Sequence, residues 1–172
     1  MGNLFVYKPD NISSIEVSDN LQSVGVFSVF LAGTIDNGDS TNWQREVINL
    51  LKQASKTSPD IGVYNPRRDT WDPAEGHDEV MKQIDWEQRA LEKSNHIVMV
   101  FLDNSKSPIS LLELGMYCRS KKITVFCTEK FYRYDNVLDT CKRYGIVLVH
   151  STDPDTIAKR ILSKASEQAE NF

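Results

Sequence analysis

One glutamate, Glu113, stands in a stretch of helical character whose other side chains are mostly apolar. The stretch covers residues 108–117, PISLLELGMY, and its proline suits the first turn of a helix. An acid with apolar neighbours on both sides is expected to lose part of its hydration, and perturbed carboxylates concentrate at functional sites. Two interpretations stay open: Glu113 is a functional carboxylate, or it is an acid at the helix edge that reaches solvent or pairs with Arg119 or Lys121.

The element before this helix is predicted to carry Glu113 to the edge of a sheet. Ile97 to Leu102 is a continuous apolar run of strand length, typical of a central strand that is covered on both faces. A polar loop, residues 103–108, joins this strand to the helix. Open α/β sheets bind ligands beyond the carboxyl ends of their strands, which is where Glu113 is expected.

A second candidate loop follows the first long strand. Val24 to Ala32 is apolar and β-rich, and it runs into Gly33, Thr34 and a polar loop that contains Asp36. A strand, a glycine-containing loop and a helix N-terminus together suit an anion or a sugar hydroxyl. The loop has neither a G-x-G-x-x-G pattern nor a Walker lysine, and an acid opposes a phosphate. On the loop alone, a plain connection between strand and helix is the favoured interpretation.

The loop after the next strand, Ile61 to Tyr64, is dense in groups that make specific contacts. It contains Asn65, the adjacent Arg67 and Arg68, and Trp71. Two arginines beside a tryptophan could offer forked donors and a stacking surface to a planar ligand. The alternative is a solvated loop whose arginines pair with its aspartates.

Strands and helices alternate along the rest of the chain. Helices are predicted from Trp43 to Ala54 and over residues 79–94, 137–143 and 154–166, and strands over residues 123–127 and 146–149. This order predicts one α/β domain over residues 24–172, with a flavodoxin-like or Rossmann-like fold and a five-stranded parallel sheet flanked by helices. Residues 1–23 precede the pattern and are predicted to form an arm or short edge strands, at residues 4–7 and 15–17.

Composition excludes several classes of function. The chain has 172 residues, a formal net charge of −4 and a pI near 5.4. It therefore lacks the excess of positive charge that proteins use to bind a nucleic-acid polymer. No apolar run approaches the length of a membrane span and no signal peptide is evident, so we expect a cytoplasmic protein without a membrane partner. Three distant cysteines and three scattered histidines predict no disulfide framework and no metal site. No cofactor is expected.

Six short motifs occur in a consistent order between about residues 28 and 150. They are FLAGTI at 30–35, WQ at 43–44, NPRR at 65–68, WE at 86–87, ISLLELG at 109–115 and FYRYDNV at 131–137. Together they resemble the nucleoside 2-deoxyribosyltransferase superfamily, and within it the nucleoside 2-deoxyribosyltransferase-like branch. Each motif alone is weak, but six in order are specific.

The resemblance implies cleavage or exchange of the N-glycosidic bond of a 2′-deoxynucleoside. In that family a helix glutamate attacks C1′ and releases the base, and another base or water then takes the sugar from the ester. Glu113 matches this nucleophile. The family's second acid lies on the preceding helix, and counting along the chain assigns it to Glu87, with Asp85 as the fallback.

The resemblance also implies a homo-oligomer, dimeric or dimer-based, with shared active sites. Asn136 matches an asparagine that serves the sugar in a neighbouring subunit's site. It ends an aromatic-rich loop, residues 129–136, of a kind enriched at interfaces. The substrate-binding residues predicted from the loops and the motifs together are Gly33, Thr34, Asp36, Asn65, Arg67, Arg68, Ser107 and Asn136.

Two positions leave the substrate open. The family's transferases usually carry an aspartate six residues before the nucleophile, where Ser107 stands here. Related deoxynucleoside 5′-monophosphate N-glycosidases have a serine there and use it on the phosphate, yet Asp36 stands where those hydrolases have a basic residue. Expected partners are therefore a nucleoside or nucleotide and a free nucleobase. A non-catalytic nucleotide-binding module on the same fold stays the alternative.

Overall fold

The computed structural model describes residues 2–9, 25–69, 74 and 76–171. These residues form six strands and five α-helices. The strands are β1 (Leu4–Tyr7), β2 (Phe27–Gly33), β3 (Ile61–Tyr64), β4 (His96–Phe101), β5 (Ile123–Cys127) and β6 (Val147–Val149). The helices are α1 (Trp43–Ala54), α2 (His77–Lys93), α3 (Pro108–Tyr117), α4 (Tyr134–Tyr144) and α5 (Pro154–Ala169).

The sheet is parallel throughout, with strand order β1-β3-β2-β4-β5-β6. Without β1 this is the predicted flavodoxin-like order, in which the chain starts near the middle, steps to one side and then crosses to the other. All six residues of β4 are buried, as expected of a central strand. The α/β prediction is confirmed.

The predicted count of five strands is wrong, because the edge strand that the sequence left open at residues 4–7 forms and adds a sixth. This segment pairs in parallel with β3, from Leu4 opposite Ile61 to Tyr7 opposite Tyr64. A four-residue edge strand offers too few positions for a periodic hydrophobic signal, which explains the miscount. The predicted strand at residues 15–17 lies outside the described residues, and the boundary at residue 24 stays a prediction.

Helices cover both faces of the sheet. Apolar side chains of α2, α3 and α4, such as Trp86, Leu114 and Val137, pack on one face. Those of α1 and α5, such as Trp43 and Ile161, pack on the other. The strand side chains divide between the two cores because alternate residues point to opposite faces. Among the described residues, no helix is long and apolar enough to cross a membrane.

The carboxyl ends of β2 and β4 approach each other closely at Gly33. A Cβ at this position would lie 2.2 Å from the backbone oxygen of Val100, and Gly33 has a φ of 135°. Only glycine fits such a position without a shift of the backbone. Immediately after it, the backbone N–H of Thr34 donates to the same Val100 oxygen at 2.9 Å. The start of the loop after β2 is therefore fixed against β4.

Replacing Gly33 with alanine is expected to lower the free energy of unfolding by about 2 kcal/mol or more, because both the backbone conformation and the Cβ contact become strained. Urea denaturation measures the change. Gly115→Ala is the matched control: an added Cβ meets nothing within 4 Å on this exposed helical position. The control should gain about 0.5–1 kcal/mol from helix propensity. A Gly33→Ala protein as stable as the wild type would contradict the close approach.

Candidate active site

A cavity of about 460 Å³ lies between α2 and α3, beyond the carboxyl ends of β2 and β4. Its walls are largely apolar, with Phe30, Ala32, Ile35, Val80, Ile84 and Ile109 among them. In the sheet, β3 lies on one side of β2 and β4 lies on the other side. The strand order therefore reverses at β2, beside the cavity. Parallel α/β sheets bind small molecules at such points, in cavities of this size.

Helix α3 buries its acid and exposes three of its apolar side chains. The side chain of Glu113 is 5% exposed, whereas Ile109, Leu112 and Met116 are 52–60% exposed along one face of the helix. A surface helix normally shows the reverse pattern. The guanidinium of Arg119 lies over the Tyr144 ring, 5.2 Å from its centroid. The solvated-edge interpretation of Glu113 is therefore wrong.

Glu113 and Glu87 both line the cavity, and their surroundings differ. Burial, together with a smaller effect of the charge of Glu87, raises the pKa of Glu113 to about 8. Burial also raises the pKa of Glu87, but a hydrogen bond from Gln83 at 2.7 Å and the charge of Arg68 act in the opposite direction. Two neighbouring carboxyl groups with different environments can divide the roles of proton carrier and nucleophile.

A chain of hydroxyl groups forms another wall. The Oγ1 of Thr34 lies 2.6 Å from Ser107 Oγ, which lies 2.7 Å from Ser105 Oγ. Ser105 in turn donates to Asp36 Oδ1 at 2.9 Å. Asp36 and Ser107 both have positive φ values, 50° and 43°, which non-glycine residues adopt mainly where the surroundings require it. Ser107 and Asp36 line the cavity, and Thr34 anchors the chain by accepting from the backbone N–H of Leu102.

Arg67 is not among the residues that line the cavity. Its buried guanidinium donates to the backbone oxygens of Gly38, Ser40 and Thr41 at 2.6, 2.7 and 3.3 Å, and to Ser40 Oγ at 3.2 Å. These bonds satisfy the carbonyls of Gly38 and Ser40 in the loop after β2, and they add a second donor to the carbonyl of Thr41, which also accepts from the backbone N–H of Trp43. Arg67 thus holds the loop that carries Asp36.

Asn65 and Asp85 also lie away from the cavity. The side-chain oxygen of Asn65 accepts from the backbone N–H of Arg67 at 3.0 Å, so it shapes the turn after β3. Asp85 is solvent-exposed on α2 and lies 3.6 Å from Arg89. On a helix, residues two positions apart point in nearly opposite directions, so Asp85 faces water when Glu87 faces the cavity. Trp71 lies outside the described residues.

Asn136 and the aromatic loop differ from the sequence prediction. Tyr134 to Asn136 belong to the first turn of α4, so the loop is shorter than expected. Phe131 is buried against Phe101, with ring centroids 4.9 Å apart, whereas Tyr132 is exposed. Asn136 lies on a shallow groove formed with Leu111, Leu114 and Gly115 of α3, apart from the Glu113 cavity. It does not meet the other candidate residues within one chain.

Several residues that line the cavity or support its walls were not predicted from the sequence. Ser105 and Gln83 matter through hydrogen bonds to Asp36 and Glu87, and Val80, Ile84 and Ile109 form apolar walls. Ser105 stands two residues before Ser107, and Gln83 stands one helical turn before Glu87. These spacings were visible in the sequence, but nothing in them distinguishes a cavity residue from a surface residue.

Fold and cavity together define a small-molecule site in a flavodoxin-like protein, built around two buried or partly buried carboxyl groups. The model of the family described as "Nucleoside 2-deoxyribosyltransferase like" matches residues 26–131, more than half of the chain. The chain belongs to this family. A search of the curated proteins found no match.

Several solved chains match this one, and one of them illustrates the similarity in fold. It is a conserved protein from Enterococcus faecalis V583, with a TM-score of 0.57 and 13% sequence identity, and the match covers 81% of this chain and 99% of that chain. Identity at this level supports the fold alone.

Replacing Glu113 with glutamine is expected to stabilise the protein at high pH. The folded pKa is about 8 and the ordinary value 4.5, so between these pH values the folded state holds a proton that the unfolded state releases. The wild type therefore loses stability as pH rises through this range, and the variant does not. By urea denaturation, Glu113→Gln should exceed the wild type by about 2–4 kcal/mol at pH 8 and match it near pH 4. The exposed Asp85→Asn serves as control, and an equal difference at both pH values would contradict the raised pKa.

Proposed function

We propose that this protein cleaves or exchanges the N-glycosidic bond of 2′-deoxynucleosides, or of their 5′-monophosphates, through a covalent deoxyribosyl ester on Glu113. The observation that carries this proposal is the burial of Glu113 on a cavity wall, with a second carboxyl group beside it and no cation paired to it among the described residues. A binding module gains nothing from a buried acid that lacks a counter-charge, since such burial costs stability. A nucleophilic carboxylate needs this environment. The chain's family supports the same chemistry.

In the first step the Glu113 carboxylate attacks C1′ of the sugar. The bond from C1′ to the base nitrogen breaks, its electron pair goes to the base, and an ester bond forms between C1′ and Glu113. The transition state resembles an oxocarbenium ion, which a carboxylate stabilises strongly in a cavity with apolar walls. In the second step a base nitrogen or a water oxygen bonds to C1′, and the carboxylate leaves.

Glu87 carries the proton in this scheme. The charge of Glu87 raises the pKa of Glu113, so the resting pair favours a state with one proton and one negative charge. A bound base that accepts a hydrogen bond from Glu87 draws the proton there and leaves Glu113 ionised for attack. Gln83 orients the Glu87 carboxyl by its hydrogen bond. Glu87 then protonates the leaving base and recovers the proton from the incoming base or water.

The direct test is to incubate the protein with purine and pyrimidine deoxynucleosides and their 5′-monophosphates, with and without free adenine. Chromatography follows the bases. Release of a base without adenine indicates hydrolysis, and a new deoxyribosyl-adenine indicates transfer. A related N-glycosidase that only hydrolyses monophosphates is the alternative, and Ser107 at the cavity wall is the observation that favours it.

Replacing Glu113 with alanine should lower turnover by roughly three or more orders of magnitude, because the covalent nucleophile is lost. Circular dichroism and urea denaturation check that the variant folds. Asp85→Ala is the matched control: it removes an acid from the solvent-facing side of α2 and should leave turnover near the wild-type value. A folded Glu113→Ala protein with wild-type activity would remove this mechanism.

The same proposal includes a homo-oligomer in which a neighbour completes each site. The exposed face of α3, formed by Ile109, Leu112 and Met116, adjoins the cavity and is more apolar than a helix face in water normally is. Asn136 is exposed and separated from the cavity of its own chain. A neighbour packed on α3 would cover the apolar face, and its Asn136 would then be available to the sugar.

Mixing Glu113→Ala with Asn136→Ala subunits tests the shared site. In a dimer, random exchange makes half of the molecules mixed, and each mixed dimer has one site with both groups intact. Unmixed dimers of either variant are inactive, and half of the dimers have one active site of two. Activity should therefore recover to about a quarter of the wild-type value. Light scattering reports the assembly. A monomer, or no recovery after exchange has been demonstrated, would contradict the shared site.

A further inference from the structure

Helix α2 is held against the core by its second half. Its buried residues, Trp86, Ala90 and Leu91, lie in that half, whereas residues 77–82 are exposed. Glu87 follows the first of these buried residues directly and lines the cavity. Because its backbone hydrogen bonds keep a helix rigid, the position of Glu87 depends on what fixes the carboxyl end of α2.

Lys122, the residue before β5, binds this carboxyl end. Its Nζ donates to the backbone oxygens of Leu91, Glu92 and Ser94 at 2.6, 2.9 and 2.9 Å. An ammonium group has three hydrogens, so these bonds use all of them. The last carbonyls of a helix lack partners within the helix and favour a cation. Lys122 therefore determines where the end of α2 lies relative to β5.

The same side chain contacts α3 through Tyr117. The Nζ of Lys122 lies 5.8 Å from the centroid of the Tyr117 ring, within the range of a cation–π interaction. The Tyr117 hydroxyl donates to Gln88 Oε1 on α2 at 3.5 Å, a long hydrogen bond. Tyr117 follows Glu113 by one helical turn, and Gln88 is next to Glu87. Lys122 and Tyr117 thus connect the two helices that carry the carboxyl groups, and we call them the Lys122–Tyr117 bridge.

Electrostatic interactions agree with a Tyr117 hydroxyl that lies between the two helices. Burial, the charge of Glu92 on α2 and the charge of Glu113 on α3 all raise the pKa of Tyr117. An acid from each helix therefore acts on the same phenol. Lys122 and Tyr117 are not among the residues that line the cavity, so an effect on the chemistry has to act through the carboxyl groups.

We infer that Lys122 and Tyr117 are positioning residues, which hold α2 and α3 at the separation where Glu87 and Glu113 share one proton. This inference rests on the function proposed above and adds two residues to it. The interaction between two charges falls with the distance between them, and water in a wider gap weakens it further. Without the bridge, the ionised Glu87 disfavours the charge of Glu113 less, and the pair releases its shared proton at lower pH.

Titratable and charged groups from several elements surround Glu113. Glu87 lies on α2, Asp36 lines the cavity from the loop after β2, and Tyr117 lies on the same helix as Glu113. The charge of Arg68, in the loop after β3, acts on Glu87. The substitutions below remove none of these charges, so a shift in the titration of Glu113 reports the spacing of the helices.

Titration of Glu113 without substrate tests the bridge. Lys122→Met removes the ammonium group and keeps most of the aliphatic chain, and Tyr117→Phe removes one hydroxyl. Urea denaturation over a range of pH compares each variant with its own Glu113→Gln counterpart, and the difference gives the pKa of Glu113. We expect this pKa to fall by about one unit in Lys122→Met and by about half a unit in Tyr117→Phe. Loss of a nearby cation would by itself raise the pKa of an acid, so a fall identifies a change in spacing.

Two other positions provide matched controls. Lys121→Met removes the same charge from the adjacent exposed side chain, and Tyr144→Phe removes a hydroxyl from a ring that contacts Arg119. Both controls should keep the wild-type pKa of Glu113, and an equal shift in a control overturns the inference. A wild-type pKa in Lys122→Met means that Lys122 only caps α2, and the same result in Tyr117→Phe overturns the role of Tyr117. Tyr117→Phe loses a single hydroxyl and keeps the test decisive if Lys122→Met does not fold.

Turnover gives a second measurement. In the proposed mechanism Glu87 carries the shared proton to the leaving base, so the alkaline limb of the pH profile of kcat/KM should move to lower pH in Lys122→Met. KM should change by less than about threefold, because the bridge does not line the cavity. An alkaline limb at the wild-type pH overturns the inference.

The inference and the proposed function fail separately. A folded Glu113→Ala protein with wild-type activity removes the mechanism, whereas the titration of Glu113 still decides whether the bridge sets the spacing. An inactive Glu113→Ala protein, together with a wild-type titration in both bridge variants, overturns the bridge alone.

Discussion

The burial of the Glu113 carboxyl group is the constraint on which the rest of the site depends. Taking an acid out of water without a counter-charge favours its protonated form, which is why the pKa rises to about 8. The fold accommodates this cost because the central strands β2 and β4 are buried on both faces and supply a large apolar core. In the proposed mechanism, the positive charge that develops at C1′ stabilises the ionised form of this carboxylate. The cost of burial and the reactivity of the group thus have the same cause.

Thr34 and Arg67 hold the loops without lining the cavity, whereas Gly33 does both. Gly33 lets β2 and β4 approach, Thr34 ties their ends together, and Arg67 gathers the carbonyls of the loop after β2. Each of these uses its polar groups or its missing side chain within the protein. Asp36 and Ser107 face the cavity and are already held in fixed positions. A ligand that contacts them would therefore lose little binding free energy in ordering their side chains.

Much of this arrangement was predictable because it depends on local pattern. The bounds of α1, β3 and β5 agree with the apolar periodicity and the runs of β-formers, and the family's motifs place Glu113 and Glu87 on facing helices. The sequence could not show which of Arg67 and Arg68 holds the loop after β2, because the direction of each side chain depends on the conformation of the turn after β3. The hydroxyl chain was also out of reach, since the direction of a hydrogen bond depends on partners from β2, β4 and two loops.

The inverted pattern of α3 links the chemistry to assembly. Ile109 lines the cavity and also belongs to the exposed apolar face with Leu112 and Met116, so a neighbour that covers this face would at the same time complete the cavity wall. Covering three large apolar side chains releases on the order of a few kcal/mol, at about 25 cal/mol for each Å² of apolar surface removed from water. Removing water from the same wall strengthens every charge interaction inside, including that of Glu113 with an oxocarbenium-like centre. In this proposal, subunit contact and catalysis reinforce each other because one short helix contributes its apolar face to the first and its single acid to the second.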